Sequence, residues 1–216
     1  MKILHKTIKA GLILSLAILA SCGYEDPVGT TKVTYYPLLE MNGSSTEVLS
    51  VGDTYTEEGA SATEAGQEIE VTTVGSEDVD TSTPGVYNVY YSAVNSDGFS
   101  TSQRRIVIVL SADPSAIDLE GTFFRNGNPN TVTRLDDRIY QCNNAGGLPL
   151  SDSKNLLNVT FYNLDDTHVY VPFQVDASES GIDVESNIGN IISEDSFNWV
   201  LTASAYYGTA TRNFTR

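Results

Sequence analysis

Basic residues are scarce in this chain. Its 216 residues include 12 Lys and Arg against 28 Asp and Glu. Lys2, Lys6 and Lys9 lie within the first ten residues, so nine basic residues remain against all 28 acidic ones, a net charge of −19. Nucleic-acid binding requires a basic surface, and electrostatic attachment to anionic lipid requires one as well. The composition therefore argues against both and indicates a solubilising surface charge.

Histidine and the common catalytic motifs are also nearly absent. Beyond residue 21 the one histidine is His168, next to Asp165 and Asp166 at the start of a strand pattern, which indicates a surface side chain. One histidine and one cysteine (Cys142) do not make a zinc site, and neither a Gly-x-Ser-x-Gly elbow nor a phosphate-binding glycine loop occurs. A Cys142–His168 nucleophile pair and paired carboxylates for glycoside hydrolysis stay open. We expect no enzyme activity, no cofactor and no metal.

Long apolar runs are missing everywhere except near the N terminus. Three lysines precede an apolar stretch over residues 10–20, and small residues follow it. This arrangement is typical of a secretory signal, and the stretch is too short for a spanning helix. The ending Leu19-Ala20-Ser21-Cys22 resembles the lipobox of bacterial lipoproteins. The resemblance implies a signal peptide over residues 1–21. It also implies that Cys22 carries several acyl chains, which would give stable membrane anchoring.

The residues after Cys22 predict a tether and a location. Residues 22–32 are polar and contain Pro27 and Gly29, which suits a tether. Glu25 and Asp26 look like the surface-export signal of Bacteroidetes lipoproteins, which implies an outer-membrane lipoprotein exposed on the cell surface. A periplasm-facing anchor is the alternative. With Cys22 lipidated, Cys142 has no partner for an intrachain disulfide.

Residues 33–111 read as a first β domain. From residue 85 apolar side chains alternate, and residues 104–110 form a second strand pattern after the turn signal Asn95-Ser96-Asp97-Gly98, which together predict a hairpin. The residues on one predicted face are Tyr87, Val89, Tyr91 and Ala93, and those on the other are Asn88, Tyr90 and Ser92. Scattered acids such as Asp53 and Glu57 have oxygen ligands for Ca²⁺, but we expect them to be solvated.

Several motifs of this segment resemble bacterial surface Ig-like domains. They are Pro37-Leu38-Leu39-Glu40-Met41-Asn42-Gly43, Val51-Gly52-Asp53-Thr54-Tyr55, Gly59-Ala60-Ser61-Ala62, Pro84-Gly85-Val86-Tyr87-Asn88-Val89-Tyr90-Tyr91 and Arg105-Ile106-Val107. The resemblance implies an Ig-like β-sandwich that acts in spacing or docking; Asn95 and Phe99 depart from it at the hairpin tip. Tyr87 stands two residues before Val89, as the corner tyrosine of antibody domains stands before a cysteine. We therefore expect packing to replace the disulfide.

Residues 112–216 read as a second β domain after a polar break containing Pro114. Short strand patterns recur over residues 119–125, 131–135, 138–142, 156–162, 168–175, 197–203 and 209–215. They predict a second β-sandwich or a small barrel, so the mature chain is expected to be all-β. The motifs Leu119-Glu120-Gly121-Thr122-Phe123-Phe124-Arg125, Arg138-Ile139-Tyr140 and Gly146-Gly147 resemble C-terminal domains of Bacteroidetes surface lipoproteins. Those follow one Ig-like domain and often accompany polysaccharide-uptake systems.

Aromatic side chains are the candidates for ligand binding, because sugar rings stack on aromatic faces. Tyr206 and Tyr207 lie at an expected hairpin tip and are predicted to be exposed. Trp199 shares a strand face with Phe197 and Leu201, a pattern more typical of core. The expected function is accessory glycan binding in a polysaccharide-uptake system. The alternative is a structural or interaction lipoprotein, in which the Ig-like domain spaces a module that docks an outer-membrane protein.

Overall fold

The computed structural model describes residues 33–203 and 206–216. The predicted signal peptide, Cys22 and the tether over residues 22–32 lie outside these residues. The described chain is all-β, as the sequence predicts, with two short 3₁₀ helices at Ser76–Asp78 and Leu150–Asn155. The first seven strands build an Ig-like module, and the remaining ten build a second module around a closed barrel.

Two sheets form the Ig-like module. Its strands are β1 (Leu38–Met41), β2 (Thr46–Ser50), β3 (Ala60–Glu64), β4 (Gln67–Ile69), β5 (Val71–Val74), β6 (Gly85–Val94) and β7 (Ser100–Leu110). One sheet has the order β1-β3-β4 and the other β2-β7-β6-β5, in which β2 and β7 are parallel. Val89, Tyr91 and Ala93, which were predicted to share one face of β6, are buried against Leu39 and Ala62 of the other sheet.

The hairpin and the tyrosine corner are confirmed. Strands β6 and β7 pair over their whole length, from Gly85 with Val109 to Val94 with Ser100. The Asn95 side chain closes the turn by accepting the backbone N–H of Phe99 at 2.7 Å. The Tyr87 hydroxyl donates to the carbonyl of Thr83 at 2.9 Å, the local tie expected of a corner tyrosine.

A buried ionic network supplements the packing that was expected to replace a disulfide. Arg105 is 1% exposed and contacts Glu57 at 3.0 Å. The same carboxylate accepts hydrogen bonds from the hydroxyls of Tyr55 and Tyr91 and from the backbone of Gly59. Burial alone would raise the pKa of Glu57, but these donors outweigh it and lower the pKa below its usual value. The network thus ties the segment around Glu57 to strands β6 and β7.

The second module is a barrel, which settles the alternative that the sequence left open. Its strands are β8 (Gly121–Arg125), β9 (Asn128–Asp136), β10 (Ile139–Cys142), β11 (Val159–Asn163), β12 (His168–Tyr170), β13 (Glu185–Ser186), β14 (Gly189–Ser193), β15 (Ser196–Trp199), β16 (Leu201–Thr202) and β17 (Arg212–Thr215). Eight of them close in the order β10-β11-β12-β14-β15-β17-β8-β9, and β13 pairs with β16 beside them. Side chains fill the interior, including Phe123, Phe161, Phe197 and Phe214.

Local departures from the predicted strands have physical reasons. The predicted strand over residues 168–175 ends at Tyr170, because Pro172 has no N–H to continue a ladder. Strands β13 and β14 were not predicted: β13 has two residues, and β14 places Ile191 inward but Ile192 outward in a run without clear alternation.

The two modules share a hydrophobic cluster within residues 36–216, which form one compact unit. Ile106, Ile108 and Leu110 of β7 pack against Leu164 and Tyr170 of the barrel module. The inward-facing neighbours in β7 serve the Ig-like core instead, so one strand contributes to two cores.

The segment between the modules is held in place by hydrogen bonds. The Ser111 N–H donates to the Leu164 carbonyl at 2.8 Å, and the buried Arg138 donates to the Asp113 carbonyl at 2.8 and 3.2 Å. Arg138 also forms an ion pair with Asp166 at 2.8 Å. The polar break around Pro114 is therefore a fixed connection.

Candidate functional site

Trp199 is a core residue of the barrel. It is 1% exposed, and its ring lies 5.0–5.5 Å from those of Phe161, Phe197 and Phe214. Its indole N–H donates to the Ala145 carbonyl at 2.9 Å. This placement agrees with the core pattern of its strand and argues against Trp199 as a ligand-binding candidate, because core packing covers both the ring and its polar atom.

Tyr206 and Tyr207 lie near Trp199 but differ from each other in exposure. Tyr206 is 60% exposed, as expected, whereas Tyr207 is 8% exposed. Tyr207 packs over Gly146, where a Cβ atom would collide with its ring, and its hydroxyl donates to the Asn155 carbonyl. The expected exposure of Tyr207 is therefore wrong. Tyr207 and Trp199 contact the loop around Gly146, whereas Tyr206 faces solvent and donates its hydroxyl to Asp152.

A buried arginine fixes this end of the barrel. Arg212 is 2% exposed, and its guanidinium carbon lies 5.6 Å from the centroid of the Tyr207 ring. The guanidinium donates to the carbonyls of Tyr207 and Ala210 at 2.5 and 2.8 Å. Burial lowers its pKa below the usual value, and the nearby charge of Arg125 lowers it further. These contacts hold the backbone at Tyr207, which explains why its ring is covered.

The groups considered for nucleophilic chemistry are not poised for it. Cys142 is buried in the barrel core, and burial raises its pKa to about 12, so it remains a thiol at neutral pH. The imidazole of His168 contacts the Asp165 carboxylate at 2.9 Å. That carboxylate also accepts the backbone N–H groups of Thr167 and His168, so it closes the turn before β12.

Over residues 33–203 and 206–216, no three His, Cys, Asp or Glu side chains are grouped so that they would hold a metal ion. The same residues include no helix with the length and apolarity needed to cross a membrane.

A groove of about 420 Å³ lies between the two modules, and we call it the interdomain groove. Its Ig-like wall consists of Met41, Ser45, Thr46, Gln103, Arg104 and Ile106, and its barrel wall consists of Phe173 and Val175. Phe173 is 47% exposed and Val175 65% exposed. Small-molecule sites commonly occur between domains, in hollows of this size lined by apolar groups with a few polar ones.

The barrel wall of the groove is held in place by hydrogen bonds that Gln174 makes on the barrel side. Its backbone exchanges hydrogen bonds with Val184 at 2.8 and 2.9 Å. Its carboxamide accepts the Thr160 N–H at 2.9 Å and donates to the Thr160 carbonyl at 2.8 Å. Alternation in this extended segment then turns Phe173 and Val175 away from the barrel and into the groove.

The Ig-like wall supplies positioned polar groups. Gln103 donates to the Leu39 carbonyl at 2.8 Å, which leaves its carboxamide oxygen as an acceptor. Arg104 forms an ion pair with Glu185 of the barrel module at 2.7 Å. Tyr90, half exposed, stands directly opposite Arg104 in the neighbouring strand. Sequence reasoning missed this site, although Phe173 and Val175 alternate around Gln174.

A second hollow lies at the junction but differs in character. It measures about 330 Å³ and includes Asp53, Asp136 and Asp137 in its wall, with no aromatic side chain among the residues that line it. The interdomain groove is therefore the better candidate for a ligand with both apolar faces and hydroxyl groups.

Comparison with known proteins places the first module in a class. Residues 39–109 match the family described as bacterial surface protein, Ig-like domain. This segment, fewer than half of the chain's residues, is similar to that family, and its fold is Ig-like. No curated protein sequence matches the chain.

Solved structures resemble the chain at low identity. A lipoprotein from Bacteroides thetaiotaomicron is 20% identical, with 83% of this chain and 98% of that chain covered and a TM-score of 0.37. Two structures of ZmpB from Clostridium perfringens follow. The M60 catalytic domain with two CBM51 domains is 9% identical, covering 86% of this chain and 21% of that one, with a TM-score of 0.31. CBM51-2 in complex with GlcNAc and INT domains is 12% identical, covering 82% and 42%, with a TM-score of 0.32. At these values the likeness carries no functional argument.

Proposed function

We propose that this protein is a lipid-anchored binding protein of the bacterial cell surface that takes a glycan into the interdomain groove. The observation that carries the proposal is Phe173, an aromatic side chain held half exposed beside polar groups of a second module. Sugar rings bind through apolar faces on aromatic rings and through hydroxyls that need hydrogen-bond partners. Gln103, Arg104 and Ser45 provide such partners within the same groove.

A binding assay with a matched pair of variants tests the groove. The mature chain from residue 22, with Cys22→Ser to keep it free of lipid, is titrated with a panel of soluble polysaccharides. We expect saturable binding that Phe173→Ala weakens about tenfold, because stacking and burial of one aromatic ring contribute on the order of 1.5 kcal/mol. The control is Tyr206→Ala, which removes another exposed aromatic residue, at the barrel end.

The control variant also decides between the two aromatic sites. Loss of binding in Tyr206→Ala with full binding in Phe173→Ala would move the ligand to the predicted site at the barrel end and refute the groove. Glycan binding that neither variant changes would contradict both sites.

The anchor is proposed from the motif that ends in Cys22. Labelling of growing cells with radioactive palmitate is expected to mark the wild type and to fail for Cys22→Ala, since Cys22 is the proposed site of lipidation. Cys142→Ala, which removes the buried cysteine instead, keeps the label. Protease added to intact cells then removes the protein if it is surface-exposed and spares it if the anchor faces the periplasm; label that persists in Cys22→Ala contradicts lipidation.

A second candidate function, spacing of a docking module, is favoured by the geometry of β7. Tyr36 contacts Phe99 at the hairpin tip, with ring centroids 5.1 Å apart. Leu110 at the other end of β7 packs on the barrel, and eleven extended residues span about 35 Å. Tyr36, near the start of the Ig-like module, therefore lies at the end of β7 that is remote from the barrel. No binding to any polysaccharide, together with co-purification of an outer-membrane protein, would favour this function.

A further inference from the structure

The interdomain groove has a basic side chain in its wall, whereas the chain as a whole is acidic. Of the described residues that line it, Arg104 is the only charged one, and none is an Asp or Glu. The chain beyond residue 21 carries a net charge of −19. The one charged side chain of the groove wall is therefore basic in a chain that is acidic overall, and a ligand of the groove is expected to use that charge.

Arg104 is held in place, but not all of its guanidinium N–H groups are engaged in hydrogen bonds. One terminal nitrogen, Nη2, donates to Glu185 Oε2 at 2.7 Å, and the other carboxylate oxygen of Glu185 accepts the Tyr170 hydroxyl at 2.5 Å. Tyr170 is itself buried in the hydrophobic cluster that the two modules share. The remaining N–H groups of Arg104 donate to no residue in the described part of the chain, and its side chain is 30% exposed. The guanidinium is thus held in place with donors still available.

A guanidinium with free N–H groups matches the planar oxygens of a carboxylate or the oxygens of a sulfate. Phe173 and Val175 face Arg104 across the same groove and suit the apolar face of a sugar ring. Resting on the proposed function, we propose that the groove selects glycans whose sugars carry a carboxylate or sulfate group, with Arg104 as the residue that selects them.

The negative charge of the rest of the surface does not cancel this selection. At physiological salt, charges separated by more than about 8 Å are largely screened, whereas a bound acid would contact Arg104 directly. Glu185 competes for the same guanidinium, but it is also engaged by Tyr170 and occupies one of several donors. Hydrogen bonds to charged groups typically change affinity by about tenfold or more.

The test compares a charged glycan with the same glycan in an uncharged form. An oligogalacturonate and the same oligomer with methyl-esterified carboxyls are titrated into the unlipidated mature chain by calorimetry. We expect the acid to bind about tenfold more tightly, and this preference to shrink as salt is raised. A sulfated galactan oligomer and its desulfated form make up the second arm, which separates sulfate from carboxylate as the source of the charge.

Two variants separate recognition from structure. Arg104→Gln is expected to bring the charged and neutral oligomers within about twofold of each other. Because this change also breaks a contact between the modules, Glu185→Gln is the second variant. It keeps an acceptor for the Tyr170 hydroxyl but removes the competing charge, so affinity for the acid should rise while the melting temperature stays level or falls.

Each alternative outcome is decisive. Equal affinity for charged and neutral oligomers in the wild type overturns the selection of acids. Binding of some other neutral polysaccharide in a Phe173-dependent way, without binding of the charged probes, also overturns it but leaves the proposed function standing. Failure to bind any polysaccharide removes both.

Discussion

At the scale of single residues, Asp166 makes the densest set of contacts at the connection between the modules. Its carboxylate accepts the Ser115 hydroxyl at 2.7 Å, the Asn163 amide at 2.9 Å and the Arg138 guanidinium at 2.8 Å, as well as the Ala116 N–H at 3.0 Å. Burial alone would raise the pKa of Asp166, but these donors outweigh it and lower the pKa to about 2. The residue also adopts a left-handed backbone, with a φ of 68°.

This pKa predicts a loss of stability in acid. The folded-state pKa of about 2 lies below the unfolded value of about 3.9, so the stabilising contribution is present above about pH 4 and is lost as pH falls towards 2. The shift corresponds to at most about 2.6 kcal/mol, and solvent screening of this partly exposed carboxylate reduces that contribution. Asp166→Asn, which tolerates the left-handed backbone, should flatten the fall of the unfolding free energy between about pH 5 and pH 2 when it is measured by urea denaturation.

Asp176 provides the matched control for that experiment. It also has a left-handed backbone, with a φ of 50°, but its side chain is exposed. Asp176→Asn is expected to leave the pH profile of the wild type unchanged. A profile for Asp166→Asn that runs parallel to the wild type over this range would refute the assignment.

At the scale of elements, alternation predicted the strands that have one solvent face. The pattern of Tyr87, Val89, Tyr91 and Ala93 identified residues that share one face of β6, of which the last three are buried, and the turn signal after it located the hairpin. In β7 the run from Ile106 to Leu110 is buried on both sides, because one side faces the Ig-like core and the other faces the barrel. Such a continuous run predicts double burial but does not name the second partner.

Closure of the barrel and the site were beyond local patterns. Closure depends on the pairing of Phe124 in β8 with Thr215 in β17, residues that are far apart in sequence. The groove depends on Phe173, whose direction is set by the bonds of Gln174 to Val184 and Thr160. Tyr207 was misjudged because its cover comes from Gly146 across the barrel end. Barrel closure, the direction of Phe173 and the burial of Tyr207 are thus all decided by tertiary contacts, and not by the neighbouring residues in the sequence.

At the scale of the whole molecule, the structure joins the two modules into one body. The junction cluster of Ile106, Ile108, Leu110, Leu164 and Tyr170 is almost entirely removed from solvent. The interdomain groove needs both walls in a fixed relation, since six of its residues come from the Ig-like module and two from the barrel. The same contacts that build the ligand site therefore have to couple the stabilities of the modules.

Coupled modules are expected to unfold together. In scanning calorimetry the unlipidated mature chain should show a single transition, whose calorimetric and van't Hoff enthalpies agree. Ile108→Asp places an unpaired charge in the junction cluster, which is strongly unfavourable, so the transition should split into two and Phe173-dependent glycan binding should fall with it. Val94→Asp, an exposed position on β6, is the control and should keep one transition. Two transitions in the wild type, or one in Ile108→Asp at an unchanged melting temperature, would contradict the coupling.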